Sequence, residues 1–254
     1  MALTHGEPAI GSSNTHYLHT PPIAFGSRIS AAAVMREVVC GPAMARTADA
    51  LALDCAMFDQ RGCLSPHHIF VEDRAREFAS ELAAAFSRRD SLLGGKDRVR
   101  MLDLQDSAAI RRVRETARWR KLSGADVELW EDPGFRWTVV FDRTASITVS
   151  PLFRTIFVSP FSDPSDLKCR LEPRIGSLEG FAIADLESTA AGLGSIVRYD
   201  QSTSRARSEA VREVATHCGA TYICKPGELQ SPPLEWPHGG GEFIRMFIDT
   251  GAPR

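Results

Sequence analysis

A chain of 254 residues, 43% hydrophobic and 24% charged, carries enough apolar material for one large core or two small ones. Its 30 basic and 32 acidic side chains are interspersed and nearly cancel, which leaves no electrostatic case for nucleic acid or an anionic membrane surface as a partner. No stretch reaches the roughly 18 apolar residues of a membrane span, and the first thirty residues lack the basic and apolar regions of a signal peptide, so the expected compartment is the cytoplasm. Six cysteines without a CxxC pair are too few for a disulfide scaffold, and each is then a packed thiol or a reactive one.

Residues 1–22, rich in Gly, Ser and Asn and containing Pro21-Pro22, show no helical or strand period and read as a flexible lead-in to one α/β domain over residues 23–254. From Ile23 onward apolar strands alternate with amphipathic helices, the pattern of a sheet covered by helices. A helix is predicted from a cap at Thr47 to about Asp59, through Leu51, Cys55 and Phe58. The loop Gln60–Pro66 and a strand at Ile69–Glu72 follow. Helices over Arg74–Arg89, with Phe78, Leu82 and Phe86 on one face, and over Ser107–Leu122 come next. Strands are predicted at Trp137–Phe141, Thr155–Phe161 and Phe181–Ala184, then a helix at Ser208–His217 leading into Thr221–Cys224. No internal repeat is visible.

The stretch that points to chemistry is Phe58-Asp59-Gln60-Arg61-Gly62-Cys63-Leu64-Ser65-Pro66, set between a helix and a strand. Gly62 leaves room beside the sulfur, and Pro66 stiffens the exit. A thiolate attacks a thioester carbonyl well when positive potential or amide dipoles lower its pKa, and Arg61, His67 and His68 are the local sources of such potential. Backbone N–H groups at Cys63 and Leu64 are positioned in sequence to hold an oxyanion.

This loop resembles the nucleophile loop of the aldehyde dehydrogenase superfamily. It is more specifically similar to the long-chain acyl-CoA reductase (fatty-acid reductase) family of bacterial bioluminescence operons, whose loop reads close to Asp-Gln-x-x-Cys-Ser-Ser-Pro; Asp59, Gln60, Cys63, Ser65 and Pro66 match, and Leu64 departs. Three further stretches keep family order: Phe25-Gly26-Ser27-Arg28-Ile29-Ser30, Arg154-Thr155-Ile156 and Trp236-Pro237-His238-Gly239-Gly240. The resemblance covers about residues 23–250. It implies a three-layer αβα aldehyde dehydrogenase-like catalytic domain in which Cys63 is the nucleophile, attacks a fatty acyl-CoA and holds the acyl group as a thioester. Hydride from NADPH then releases an aldehyde.

In that family the dinucleotide lies on a Rossmann-like domain encoded mainly before the stretch matching Ile23–Ser30, and a βαβ unit needs about 30 residues. No GxGxxG follows a strand, so the cofactor domain is expected to be absent here and to come from a separate Rossmann-domain subunit, with an acyltransferase or synthetase as the other expected partner. Where aldehyde-oxidising relatives carry a glutamate base, this chain has Ala24, in keeping with a thioester reductase that needs no activated water. His238 is the other catalytic candidate, although the family often has His-Asp-Gly where this chain has His238-Gly239-Gly240. Two other readings stand beside reduction: an inactive or accessory copy acting as an interaction subunit, and a cysteine acyltransferase or thioesterase.

The remaining singular residues have ordinary readings beside functional ones. His67 and His68 are adjacent on a strand and point to opposite faces, which opposes a shared zinc ion. Arg111 to Lys121 form a basic helix face that is either solvated or turned to a CoA phosphate. Trp119, Trp130 and Trp137 fill core or line an acyl tunnel. Cys218 and Cys224 read as packing thiols.

Overall fold

Runs such as Ala31–Val34 and Ile69–Val71 are apolar at every position, and only a strand buried on both faces accommodates that. In the structure, a computed structural model that describes residues 28–39, 41–92, 102–189 and 200–237, both runs lie at the centre of a seven-stranded sheet. The strands are β1 (Ile29–Val34), β2 (Pro66–Val71), β3 (Val127–Glu131), β4 (Thr138–Asp142), β5 (Thr155–Pro160), β6 (Leu178–Ala184) and β7 (Tyr222–Cys224), in the order β3-β4-β5-β2-β1-β6-β7. Every neighbouring pair is parallel except β3 with β4. Six amino ends therefore share one edge of the sheet.

The helices make the other two layers. On one face α1 (Gly41–Ala56) and α2 (Ala75–Leu92) bury Leu51, Phe78, Leu82 and Phe86 against Ala32, Ile69, Val139 and Ile156. On the other, α4 (Pro164–Leu171) and α6 (Gln201–His217) cover Ala31, Phe70 and Phe181 with Leu167, Leu171 and Val211, while α3 (Leu104–Leu122) sets Ala117 on Val140 and Phe157. A four-residue helix α5 (Leu186–Thr189) follows β6. The expected αβα layering is thus what forms, with alternate residues of each central strand serving opposite cores.

Several boundaries differ from the sequence reading for identifiable reasons. Helix α1 starts at Gly41 rather than at Thr47; Pro42 suits a first turn, and Thr47 is buried inside the helix. Helix α6 starts at Gln201, where the Asp200 carboxylate accepts from Ser202 N–H. Strands β1 and β3 and helix α4 were not expected. The alanines of β1 carry little strand propensity of their own and are extended because both neighbours hydrogen-bond them and both faces are covered. Helix α4 carries its signal openly, an Asp163 cap followed by Pro164. Residues 1–22 and the segment from His238 onward lie outside the described residues.

The basic face of α3 is turned to carboxylates of its own chain. Arg114 lies 3.1 Å from Glu131, and Arg118, Arg120 and Lys121 pair with Glu131, Asp142 and Glu128. Trp137 is core, stacked on Phe86 at 6.1 Å, whereas Trp119 is exposed. No helix among the described residues is long and apolar enough to cross a membrane.

Gly180 fixes how the Cys63 loop meets the sheet. A Cβ there would lie 2.7 Å from Leu64 Cδ2, 2.8 Å from Ser30 Oγ and 3.1 Å from Leu229 Cδ2. We expect Gly180→Ala to lose about 1–3 kcal/mol of stability by overpacking, read as a lower midpoint in urea denaturation with an unchanged slope.

Candidate active site

The chain reaches Cys63 through an unusual turn. Phe58, Asp59 and Gln60 follow α1 with φ of 55°, 52° and 63°, and across from them Leu152, Phe153 and Arg154 have φ of 75°, 54° and 58°. A non-glycine residue in that region costs roughly 1–2 kcal/mol, so six of them need compensation. Part of it is mutual: Phe153 N–H donates to Asp59 O at 3.0 Å, and Arg154 pairs with Asp59 at 3.1 Å and with Asp90 at 3.5 Å.

The rest comes from Gln60, whose side chain is fully buried. Its Nε2 donates to Pro66 O at 2.7 Å and Thr155 O at 2.9 Å, and its Oε1 accepts from Thr155 N–H at 2.9 Å. One amide thereby ties the end of the Cys63 loop to the start of β5, satisfying backbone groups where both strands begin.

Cys63 is partly buried at the amino edge. Ser30 Oγ donates to Cys63 O at 2.8 Å and accepts from Gly180 N–H at 2.9 Å, so a single hydroxyl joins the loop to β1 and β6. Gln230 Nε2 donates to Asp54 O at 3.1 Å and to Ser65 Oγ at 3.2 Å, holding the opposite side. A Cβ at Gly62 would meet Gln230 Oε1 at 3.2 Å, which is why glycine suits that position.

Burial pushes the Cys63 thiol up, and the negative charge of Glu179 adds to this; the backbone N–H groups of Cys63 and Leu64 act the other way. The Leu64 amide therefore serves the sulfur, and Leu64 itself is buried. Glu179 is fully buried beside Arg28 at 3.5 Å and accepts from Thr221 Oγ1 at 3.1 Å. Trp236 Nε1 donates in turn to Thr221 Oγ1 at 3.1 Å. The four sequence stretches singled out above thus meet at one edge, represented by Arg28 and Ser30, by Asp59 to Pro66, by Arg154 and Thr155, and by Trp236.

The two histidines do not supply positive potential. Thr148 N–H donates to His68 Nδ1 at 3.2 Å, so the ring proton sits on Nε2, 2.9 Å from Ser159 Oγ, and the ring stacks on Phe70 at 4.3 Å. His67 Nδ1 likewise accepts from Ser150 N–H at 3.0 Å. Burial first, and nearby arginines second, lower His67 to about 4 and His68 to about 3, so both are neutral near pH 7. Arg61 is exposed, its guanidinium 5.7 Å from the Phe153 ring centre. Among the described residues no group of three or more His, Cys, Asp and Glu could hold a metal ion. Cys55 and Cys218 are buried thiols, and burial pushes Cys224 up to about 12, as expected of packed groups. His238 lies outside the described residues.

Sequence reasoning named the loop but not Glu179, Ser30 or Gln230 as its neighbours. The one available signal was Glu179 itself, a lone carboxylate inside the apolar strand Leu178–Ala184.

The acyl-CoA reductase family, LuxC, matches residues 8–248, almost the whole chain. The chain belongs to this family. A comparison with curated proteins finds no match. Among solved structures, an NADP-dependent glyceraldehyde-3-phosphate dehydrogenase from Bacillus halodurans C-125 complexed with NADP is similar with a TM-score of 0.57 at 13% identity, over 85% of this chain and 41% of that one. A gamma-glutamyl-gamma-aminobutyraldehyde dehydrogenase from Burkholderia cenocepacia J2315 gives 0.55 at 14% identity, over 85% and 41%. The chain therefore spans about two fifths of the length of these structures, and at such identity the likeness is one of fold: the aldehyde dehydrogenase catalytic domain.

Two pH experiments follow for this family member. Burial is the main cause that pushes Asp54 up to about 7, while Gly227 N–H, 2.6 Å away, opposes it. The folded state then binds a proton that the unfolded state releases near pH 4, so stability falls as pH rises from about 4 to about 7. Asp54→Asn should remove this slope and leave the variant more stable than wild type at pH 8, by on the order of a few kcal/mol, in urea titrations at pH 5 and pH 8. For the thiol, Glu179→Gln removes a charge that disfavours the thiolate, so the midpoint of Cys63 alkylation by iodoacetamide should move to lower pH. At pH 7.5 the rate should rise severalfold, because more of the thiol is then ionised.

Proposed function

We propose that this domain performs the acyl-transfer half of an acyl-CoA reduction, with Cys63 as nucleophile and a long-chain fatty acyl-CoA as substrate. What supports the reading is the meeting of the family's four sequence stretches around a thiol whose neighbouring amides, Cys63 and Leu64 N–H, point to its sulfur.

The Cys63 thiol loses its proton and the sulfur attacks the thioester carbonyl, forming a carbon–sulfur bond. As the sulfur gives up its charge to the new bond, the Cys63 and Leu64 amides that held it become available to the charge developing on the carbonyl oxygen. The bond to CoA then breaks, CoA leaves as a thiol carrying the proton, and the acyl group stays on Cys63. Ala24, in the position of the oxidising relatives' glutamate, removes a means of activating water against this intermediate. His238, which follows Trp236-Pro237 in the sequence, is proposed as a second catalytic group.

NADPH is the hydride donor that the family implies, and it supplies the reduction of the acyl group to an aldehyde. The described residues do not fit a dinucleotide. The amino termini of α3, α4 and α6 are filled by their own Asp103, Asp163 and Asp200 carboxylates, where a pyrophosphate would otherwise sit. The carboxyl edge of the sheet carries the buried carboxylates of Glu37 and Glu72. We therefore assign the nicotinamide to a Rossmann-type domain outside the described residues, joined to this domain or borne by a partner subunit.

Mass spectrometry decides the first half. Mixing the protein with decanoyl-CoA should add one acyl mass on the peptide containing Cys63 and release one CoA per chain, and Cys63→Ala should abolish both. Acylation that maps to Cys55, Cys169 or another thiol would overturn the assignment.

A further inference from the structure

Everything in the turn before Cys63 is fastened except one ring. Asp59 is paired with Arg154, Gln60 is buried, and Arg61 N–H returns to Phe58 O at 3.0 Å, yet the Phe58 side chain is 67% exposed. The left-handed region that Phe58 occupies, φ 55°, suits glycine or asparagine and costs a bulky residue most. Phe58 offsets none of that cost in the core, because its ring does not enter the core. Strain held at a position where folding gains little is the mark of a residue kept for a site.

The ring is beside the thiol loop. Phe58 Cδ2 would be 3.9 Å from a Cβ on Gly62, the residue before Cys63. A second large apolar side chain, Val149, is 41% exposed on the facing segment, next to Ser150, whose Oγ is 3.3 Å from Gln60 Oε1. An exposed apolar ring thus stands beside the loop that carries a partly buried sulfur, in a turn otherwise closed by polar bonds.

We infer that Phe58 is a specificity-determining residue: its ring forms an apolar rim that receives the hydrocarbon chain of the group reacting at Cys63. This rests on the reading of Cys63 as nucleophile toward a fatty acyl-CoA and adds to it the residue of this chain that recognises the hydrocarbon. Removing the ring costs contact with the chain and leaves the thiol chemistry in place.

The test separates the rim from the reaction by using probes of two kinds. Alkylation of Cys63 by N-octylmaleimide and by N-ethylmaleimide, followed on the Cys63 peptide by mass spectrometry, reads the apolar preference without any acyl-CoA. Acylation by decanoyl-CoA and by butanoyl-CoA reads it with the proposed substrate class. In wild type the longer probe should react faster in each pair. Phe58→Ala should reduce the long-to-short ratio roughly tenfold, the factor that about 1.4 kcal/mol of apolar contact carries, and Phe58→Leu should keep most of it. Circular dichroism checks that each variant is folded. A ratio unchanged in Phe58→Ala, with either kind of probe, overturns the inference. A maleimide preference that follows Phe58 in a protein that no acyl-CoA acylates would uphold the rim and overturn the proposed function instead.

Discussion

The amino edge of this domain depends on one buried side-chain amide. Gln60 bridges the exit of the Cys63 loop and the entry to β5, and without it Pro66 and Thr155 would lose three hydrogen bonds at the two strand starts. Its position, at the end of a left-handed triplet, explains the triplet: α1 must stop and reverse within three residues for the amide to reach both strands. The facing triplet, Leu152 to Arg154, has the same task on the other chain segment, and the Asp59–Arg154 pair joins them. Backbone strain is here exchanged for fixed placement of a thiol.

That placement is at the amino ends of a parallel sheet, whereas ligands of open α/β sheets usually gather at the carboxyl ends. The carboxyl edge of this sheet is closed by charge instead. Arg36 meets Glu72 at 2.6 Å, and Arg207 reaches both Glu37 and Glu72, so the crevice is filled by ion pairs of the chain itself. At the amino edge the polar groups are mostly shared between loops through hydroxyls and amides, Ser30, Ser65, Gln230 and Thr221 among them, and they leave the sulfur with its neighbouring N–H groups. A site held by neutral groups around a partly buried thiol favours the protonated resting state. This makes the carboxylate of Glu179 the main charge that governs the thiol from within the domain.

The segment after β7 belongs functionally to this edge. Asp54 holds Gly227, Gln230 holds Asp54 and Ser65, and Trp236 holds Thr221, so the chain returns across α1 and the loop toward β6. Of these four contacts, the first three connect Asp54 to the support of the Cys63 loop through a path of a few residues. Leu229, fully buried, packs at Gly180 beside Leu64 and closes that path with an apolar contact.

The sequence by itself determined that residues 59–66 form a reactive-looking loop between a helix and a strand, that the domain is a helix-covered sheet, and which family it belongs to. Local signals carry such information: an apolar period, a glycine beside a cysteine, a proline at a loop exit. The start of α4 is likewise marked locally, by Asp163 followed by Pro164. Only the tertiary structure decided that the alanines of β1 are a central strand, because burial on both faces and not propensity makes them extended. It alone decided that His67 and His68 are neutral packing groups, since their protonation is set by burial and by backbone donors eighty or more residues away. Nothing local to Cys63 names Glu179, Ser30 or Gln230 either. Those residues become its neighbours only when parallel strands far apart in the chain bring their amino ends to one edge.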